Sequence, residues 1–237
     1  MKHNYICIDC ETGGLDRVNQ LHASKFAITQ IAFIIYDGDF KELSRYSSYI
    51  KGQKGEPNKE IQDVVNGYVG YDSDLCYQKT AFNITGVSID KLETSGRIFN
   101  IVAKEMCDRF ISAKQGRNLP ILVGHNVTYD IPFISYLFRY AQIDLSKLVS
   151  GYFDHFDTFQ PHFIDTMWLA RSISDDKDKN DLSSLANRFG VELYDAHDAL
   201  NDVKATMEIH KKMIQRLKTN SIEINKTEIS PRKKFEF

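Results

Sequence analysis

The sequence has almost no imbalance of charge: 30 Lys and Arg stand against 32 Asp and Glu, a formal net charge of −2. That excludes a protein holding nucleic acid by bulk charge alone, so any contact with a polyanion must be local or carried by metal ions. A cysteine framework is also lacking. Cys7, Cys10, Cys76 and Cys107 have no framework spacing and sit mostly in apolar surroundings, which excludes a disulfide scaffold and suits a reducing compartment. Cys7 and Cys10 form a C-x-x-C, but on a strand an offset of three puts them on opposite faces, and they read as packing residues. No apolar run is long enough to span a bilayer, and the first strand begins within a few residues of Met1, leaving no room for a signal or transit peptide. A cytoplasmic protein with no membrane contact is therefore expected. No internal repeat is present.

What is there suffices for one full core: 237 residues, 42% of them hydrophobic. The organising stretch is Tyr5 to Gly14, YICIDCETGG. Its apolar run and Gly pair read as a buried strand ending in a turn. Alternate residues on a strand share a face about 7 Å apart, so Asp9 and Glu11 project side by side. Carboxylates that close raise each other's pKa unless a cation lies between them, and a hard divalent metal with oxygen ligands is the simplest one. Two acids solvated at a strand end are the bland alternative for an isolated D-x-E.

Further along, Ile28 to Tyr36 and Glu42 to Ile50 are β-rich runs joined through Asp37-Gly38-Asp39, a hairpin signal. Ser95 to Lys114 has the apolar spacing of an amphipathic helix, and Pro120 to Val123 reads as a strand. A helix with Pro132 in its first turn follows. Phe163 to Thr166 reads as the last strand, leading into a helical stretch to Ile173. Asp181 caps a helix from about Leu182 to Gly190, and the final helix runs from about Ala199 to Lys218. In its apolar stripe, His210 reads as a structural histidine. The expected architecture is an α/β mixed sheet, three antiparallel strands then parallel ones, flanked by helices. One domain over 1–218 is expected, with insertions near 51–80 and 149–163. Residues 219–237 read as a polar C-terminal tail, and a short helix is placed near Glu60 to Val65. Interleaved Lys and Tyr in the first insertion read either as an ordinary surface loop or as a stacking surface for a single strand.

Two more places join acids to histidine: His125-Asn126-Val127-Thr128-Tyr129-Asp130 and His197-Asp198-Ala199-Leu200-Asn201-Asp202. Taken singly, Asp130 and Asp198 are explained as helix caps. With D-x-E-T-x-G over Asp9 to Leu15, H-N-x-x-x-D from His125 to Asp130 and H-x-A-x-x-D from His197 to Asp202, the chain resembles the DEDDh, or DnaQ-like, 3′-to-5′ exonucleases. That family includes the proofreading epsilon subunit of bacterial replicative polymerase, RNase T, oligoribonuclease and TREX-type nucleases. LSSLANRFGV and Phe163-Ile164-Asp165-Thr166 are similar to the family as well, and the likeness covers residues 1 to about 217.

The resemblance implies a ribonuclease H-like fold. It also implies two divalent cations, Mg²⁺ or Mn²⁺, bound by Asp9, Glu11, Asp130 and Asp202, with His197 as general base and release of nucleoside 5′-monophosphates. Thr12 and Leu15 match positions that bind or wedge the terminal nucleotide, and Asn126 matches a substrate-binding position that lines the site. Where many relatives carry H-G-I-T this chain has Phe82-Asn83-Ile84-Thr85, so stacking on Phe82 would replace a polar contact. Single-stranded or frayed 3′ ends of DNA are the expected substrate, in proofreading or end trimming with a possible polymerase partner. RNA ends are the alternative, and a non-catalytic binding module is the competing class.

Overall fold

A computed structural model describes residues 3–15, 26–51, 79–173 and 179–226, with side chains of the last helix described to Thr219. The expected short helix near 60–65, most of the first insertion and the end of the tail lie outside these residues. The chain order is β1 (Tyr5–Thr12), β2 (Ile28–Tyr36), β3 (Glu42–Tyr49), α1 (Lys79–Thr85), α2 (Ile89–Ser95), α3 (Phe99–Ser112), β4 (Ile121–Gly124) and α4 (Asp130–Tyr140). Then come β5 (Gly151–Phe153), β6 (Phe159–Pro161), β7 (Phe163–Asp165), α5 (Thr166–Ile173), α6 (Leu182–Phe189) and α7 (Ala199–Lys226).

The main sheet has five strands in the order β3-β2-β1-β4-β7. β1 pairs antiparallel with β2 and parallel with β4, which pairs parallel with β7. The expected ribonuclease H-like mixed sheet is what forms. β1 lies at its centre because it is apolar on both faces. Ile6, Ile8 and Cys10 pack into the larger core with Val102, Met106 and Phe110 of α3 and Phe133 and Leu137 of α4. Cys7 points the other way, joining Ala32, Ile34 and Tyr36 of β2 against Ala199, Val203 and Met207 of α7. The two cysteines thus lie on opposite faces, as a three-residue offset requires. Each large apolar side chain buried in these layers contributes about 1.5 to 3 kcal/mol.

Several local features differ from the sequence reading. The β2–β3 turn takes five residues, and its left-handed position is Phe40 (φ 64°), not Gly38. Asp37 organises it, its Oδ1 accepting from the amides of Asp39 and Lys41 at 2.9 Å each. Phe40 offsets its backbone strain by stacking on Tyr36 at 5.4 Å.

The stretch 149–163, read as an insertion without regular structure, contains a hairpin in which Tyr152 pairs with Gln160 and Phe153 with Phe159. Strands of three residues are too short for alternation to show. The last helix does not end at Lys218 but continues to Lys226, its polar final turns having no apolar stripe to reveal them. Helices α1 and α2 were not anticipated; Ser88 caps α2 by accepting from the Lys91 amide. Just beyond α2, Gly96 lies so close to the last turn of that helix and to Lys51 that a Cβ would fall 2.2 Å from the Leu92 carbonyl oxygen and 2.8 Å from the Lys51 nitrogen. Among the described residues, no helix is long and apolar enough to cross a membrane.

Candidate active site

Strand register decides where the first two acids point. Asp9 lies opposite Ala32 and Glu11 opposite Gln30 on β2, so both acids share the face of Cys7, toward α7. Ala32 leaves room beside Asp9 that a larger residue would fill. The ladder shifts register between Glu11 and Thr12, and beyond it the Gly13 amide donates to the Ala27 carbonyl at 2.8 Å. Such an irregularity turns a strand end away from regular pairing, here directly after the two acids.

The third motif reaches the same place from the first turn of α7. Asp198 caps that helix, its Oδ1 accepting from the Asn201 amide at 3.2 Å, as the sequence suggested. Asp202 is 9% exposed and its Oδ2 accepts from the His197 amide at 3.3 Å. His197 is in the left-handed region (φ 75°) and solvent-exposed. Ligand atoms of Glu11, His197 and Asp202 lie within 4.8 Å of one another. Asp9 and Asp130 are outside that group. Asp130, buried at the start of α4, is held by the Cys10 amide, which donates to its Oδ1 at 3.0 Å.

The electrostatics tie all four acids together. Burial first, then the charges of Asp202 and Asp198, push the Asp9 carboxyl up to about 8. Burial and the charges of Asp9, Asp202 and Asp198 push Glu11 up to about 9. Asp130 is also raised, by burial and then by Asp9, and Asp202 is raised chiefly by burial. So many acids in a desolvated space cannot all ionise unless cations or protons compensate. Oδ1 of Asp202 is buried and has no hydrogen-bond partner. An orphaned carboxylate oxygen facing like charges fits a divalent cation with oxygen ligands. Glu11, His197 and Asp202 could hold one.

The remaining sequence candidates are distributed around this cluster. Thr12 is buried; its hydroxyl lies 2.9 Å from the Tyr129 hydroxyl, which donates to the Gly14 carbonyl at 3.0 Å. Leu15, just beyond, is 42% exposed. Asn126 is exposed and left-handed (φ 59°), its amide donating to Oδ1 of Asp165 at 3.0 Å. That oxygen also accepts from the Met167 amide at 2.9 Å, so Asp165 caps α5. Phe82 is not among the acids; it packs half-buried in a satellite cluster with Ala27, Val87 and Leu92.

Gln30 was missed. Its Nε2 donates to Oδ2 of Asp198 at 3.0 Å and its Oε1 accepts from the Ala199 amide at 3.4 Å, clamping the His197 turn to the sheet. The available signal was a single amide in the otherwise β-branched and apolar run ITQIAFIIY.

A family model described as Exonuclease, named RNase_T, matches residues 6–210. The chain belongs to this exonuclease family. The DEDD-type 3′-to-5′ exonuclease class expected from the motifs therefore holds. Among curated relatives, DNA polymerase III PolC-type of Staphylococcus epidermidis is 31% identical over 152 residues, 62% of this chain and 9% of that protein. The Staphylococcus aureus protein of the same name is 30% identical over the same share. Among solved structures, E. coli exonuclease I in complex with a dT13 oligonucleotide has a TM-score of 0.65 at 19% identity. It covers 94% of this chain and 43% of that one. A product-bound exonuclease I has a TM-score of 0.63, again at 19% identity, with 92% and 45% covered. The exonuclease chain thus spans under half the length of these structural relatives and about a tenth of the polymerases.

Proposed function

We propose that this exonuclease removes nucleotides one at a time from the 3′ ends of single-stranded or frayed DNA, by metal-dependent hydrolysis. The observation that carries the reading is the approach of Glu11, His197 and Asp202 within 4.8 Å, from segments far apart in sequence. Asp9, Glu11, Asp130 and Asp202 would hold two Mg²⁺ or Mn²⁺ ions, which when bound supply positive charge to acidify water and to stabilise the departing 3′ oxygen.

The protein's own groups do the rest. His197, exposed at the rim, takes a proton from the attacking water on an imidazole nitrogen. Thr12, Leu15 and Asn126 contact the terminal nucleotide, and Phe82 offers a ring for its base. Gln30 and Asp198 keep the histidine turn in place. Five acids count here, Asp9, Glu11, Asp130, Asp198 and Asp202, and without metal their negative potential opposes a phosphate. DNA is favoured over RNA because the curated relatives are DNA polymerases and the exonuclease I neighbour was solved with dT13. Proofreading or end trimming beside a polymerase partner follows from the same relatives. Unpaired thiols at Cys7, Cys10 and Cys107 suit a cytoplasmic setting.

The test is digestion of 5′-labelled single-stranded DNA, duplex DNA and RNA with Mg²⁺, with Mn²⁺ and with chelator. A ladder shortening from the 3′ end of DNA, abolished by chelation, is expected. Shortening from the 5′ end, or undiminished activity in chelator, would refute the reading; preferred RNA cleavage would reassign the substrate.

A further inference from the structure

Resting on the exonuclease reading above, we propose that Trp168 and Arg171 form a platform on which an unpaired base upstream of the 3′ end stacks as the strand enters the acid cluster. Trp168 is the sole tryptophan of the chain and is 58% exposed. Helix geometry turns it outward: Ala170, two residues on and about 200° around α5, is buried, packed with Ile209 and Met213 of α7. The Arg171 guanidinium lies 5.6 Å from the indole centroid. The same guanidinium donates to Met167 Sδ at 3.5 Å, and among the described residues it forms no ion pair with a carboxylate. An exposed indole beside a guanidinium is the chemistry that holds a base and its phosphate.

Placement links this pair to the active site. β1, β4 and β7 are parallel, so α5 opens at the sheet end where β1 delivers Asp9 and Glu11. Oδ1 of Asp165 accepts from the amides of Trp168 at 3.4 Å and Asn126 at 3.0 Å. One carboxylate oxygen therefore joins the platform to the loop that leads into Asp130. His125 adds a second tie, its Nδ1 lying 3.1 Å from the Thr166 hydroxyl. The exposed rings of the β5–β6 hairpin, Tyr152, Phe153 and Phe156, are less suited, because Asp154 and Asp157 lie among them and oppose a phosphate backbone.

The lone indole is its own reporter. The full chain, with Ca²⁺ in place of Mg²⁺ to neutralise the acids, is titrated with an oligothymidine of about ten nucleotides while tryptophan emission is followed; saturable quenching is expected from base stacking. In Mg²⁺, Trp168→Ala should raise KM for that strand about 5- to 150-fold, the range for loss of one stacked base. Turnover of the p-nitrophenyl ester of thymidine 5′-monophosphate, too small to reach the platform, should stay unchanged. Arg171→Ala should lower the slope of log KM against log salt by about 0.7, one phosphate contact on a single strand. Absence of quenching, or an unchanged KM in Trp168→Ala with the ester still cleaved, overturns the platform and leaves the nuclease reading standing. If wild type cleaves neither substrate yet its emission is quenched, the nuclease reading fails and the platform stands.

Discussion

His210 offers the cleanest quantitative test of the fold. It lies on α7 at 2% exposure, with Nδ1 2.8 Å from the Tyr36 hydroxyl and Nε2 buried without a hydrogen-bond partner. Rings surround it: Phe40 at 5.2 Å, Tyr5 at 6.1 Å and Tyr36 at 6.2 Å between centroids. None of these gains or loses charge between pH 4 and 7. Burial alone pushes the imidazole down from 6.5 to about 4. Below pH 6.5 the unfolded chain takes up a proton that the folded one refuses, so stability falls as pH drops, until both forms are protonated below about 4. At about 1.4 kcal/mol per tenfold in proton affinity, the interval corresponds to a loss of about 3 kcal/mol.

The acids of the active site titrate in the opposite sense, so the effect must be isolated by difference. His210→Gln removes the titration while keeping a polar partner for Tyr36. Urea unfolding of both proteins between pH 7.5 and 4 should show the wild type losing about 3 kcal/mol relative to the variant. A difference that stays flat to within about 0.5 kcal/mol would mean that the imidazole is solvated or charged in the folded protein, and the packing described here would be wrong.

Other consequences follow from the active site. Asp9→Asn should abolish nuclease activity yet raise the melting temperature of the metal-free protein, because it removes a carboxyl that folding must either bury charged or force to take up a proton; a lower melting temperature would contradict the crowding of acids. Wild type should melt higher with Mg²⁺ than with chelator, and an identical melting curve would argue against the cation site. His197→Ala should slow turnover by about 10²- to 10⁴-fold, and unaltered turnover would remove it from the mechanism. Gln30→Ala, which frees the His197 turn from β2, should reduce kcat with little change in KM and cost about 1 to 3 kcal/mol of stability; a pure stability loss with unaltered kcat would deny it a positioning role.

Local patterns in the sequence determined a great deal. The wholly buried run of β2, the Asp181 cap of α6 and the stripe of α7 are each written within one segment, because side-chain period and capping act over a few residues. The order and spacing of Asp9, Glu11, Asp130, His197 and Asp202 likewise sufficed to assign the family. Polar final turns of α7 and the three-residue strands β5 and β6 escaped notice for the same reason, since they carry too little periodicity.

Only the tertiary structure decided which groups meet. It put Glu11 with His197 and Asp202, kept Asp9 and Asp130 outside that tight group, and tied Gln30 to Asp198 across 168 residues of chain. It also set Trp168 at the acid end of the sheet, through the parallel register of β4 and β7. Contacts of that range depend on strand order and on which face each residue turns to its neighbour. Those are properties of the assembled sheet, and no window of sequence contains them.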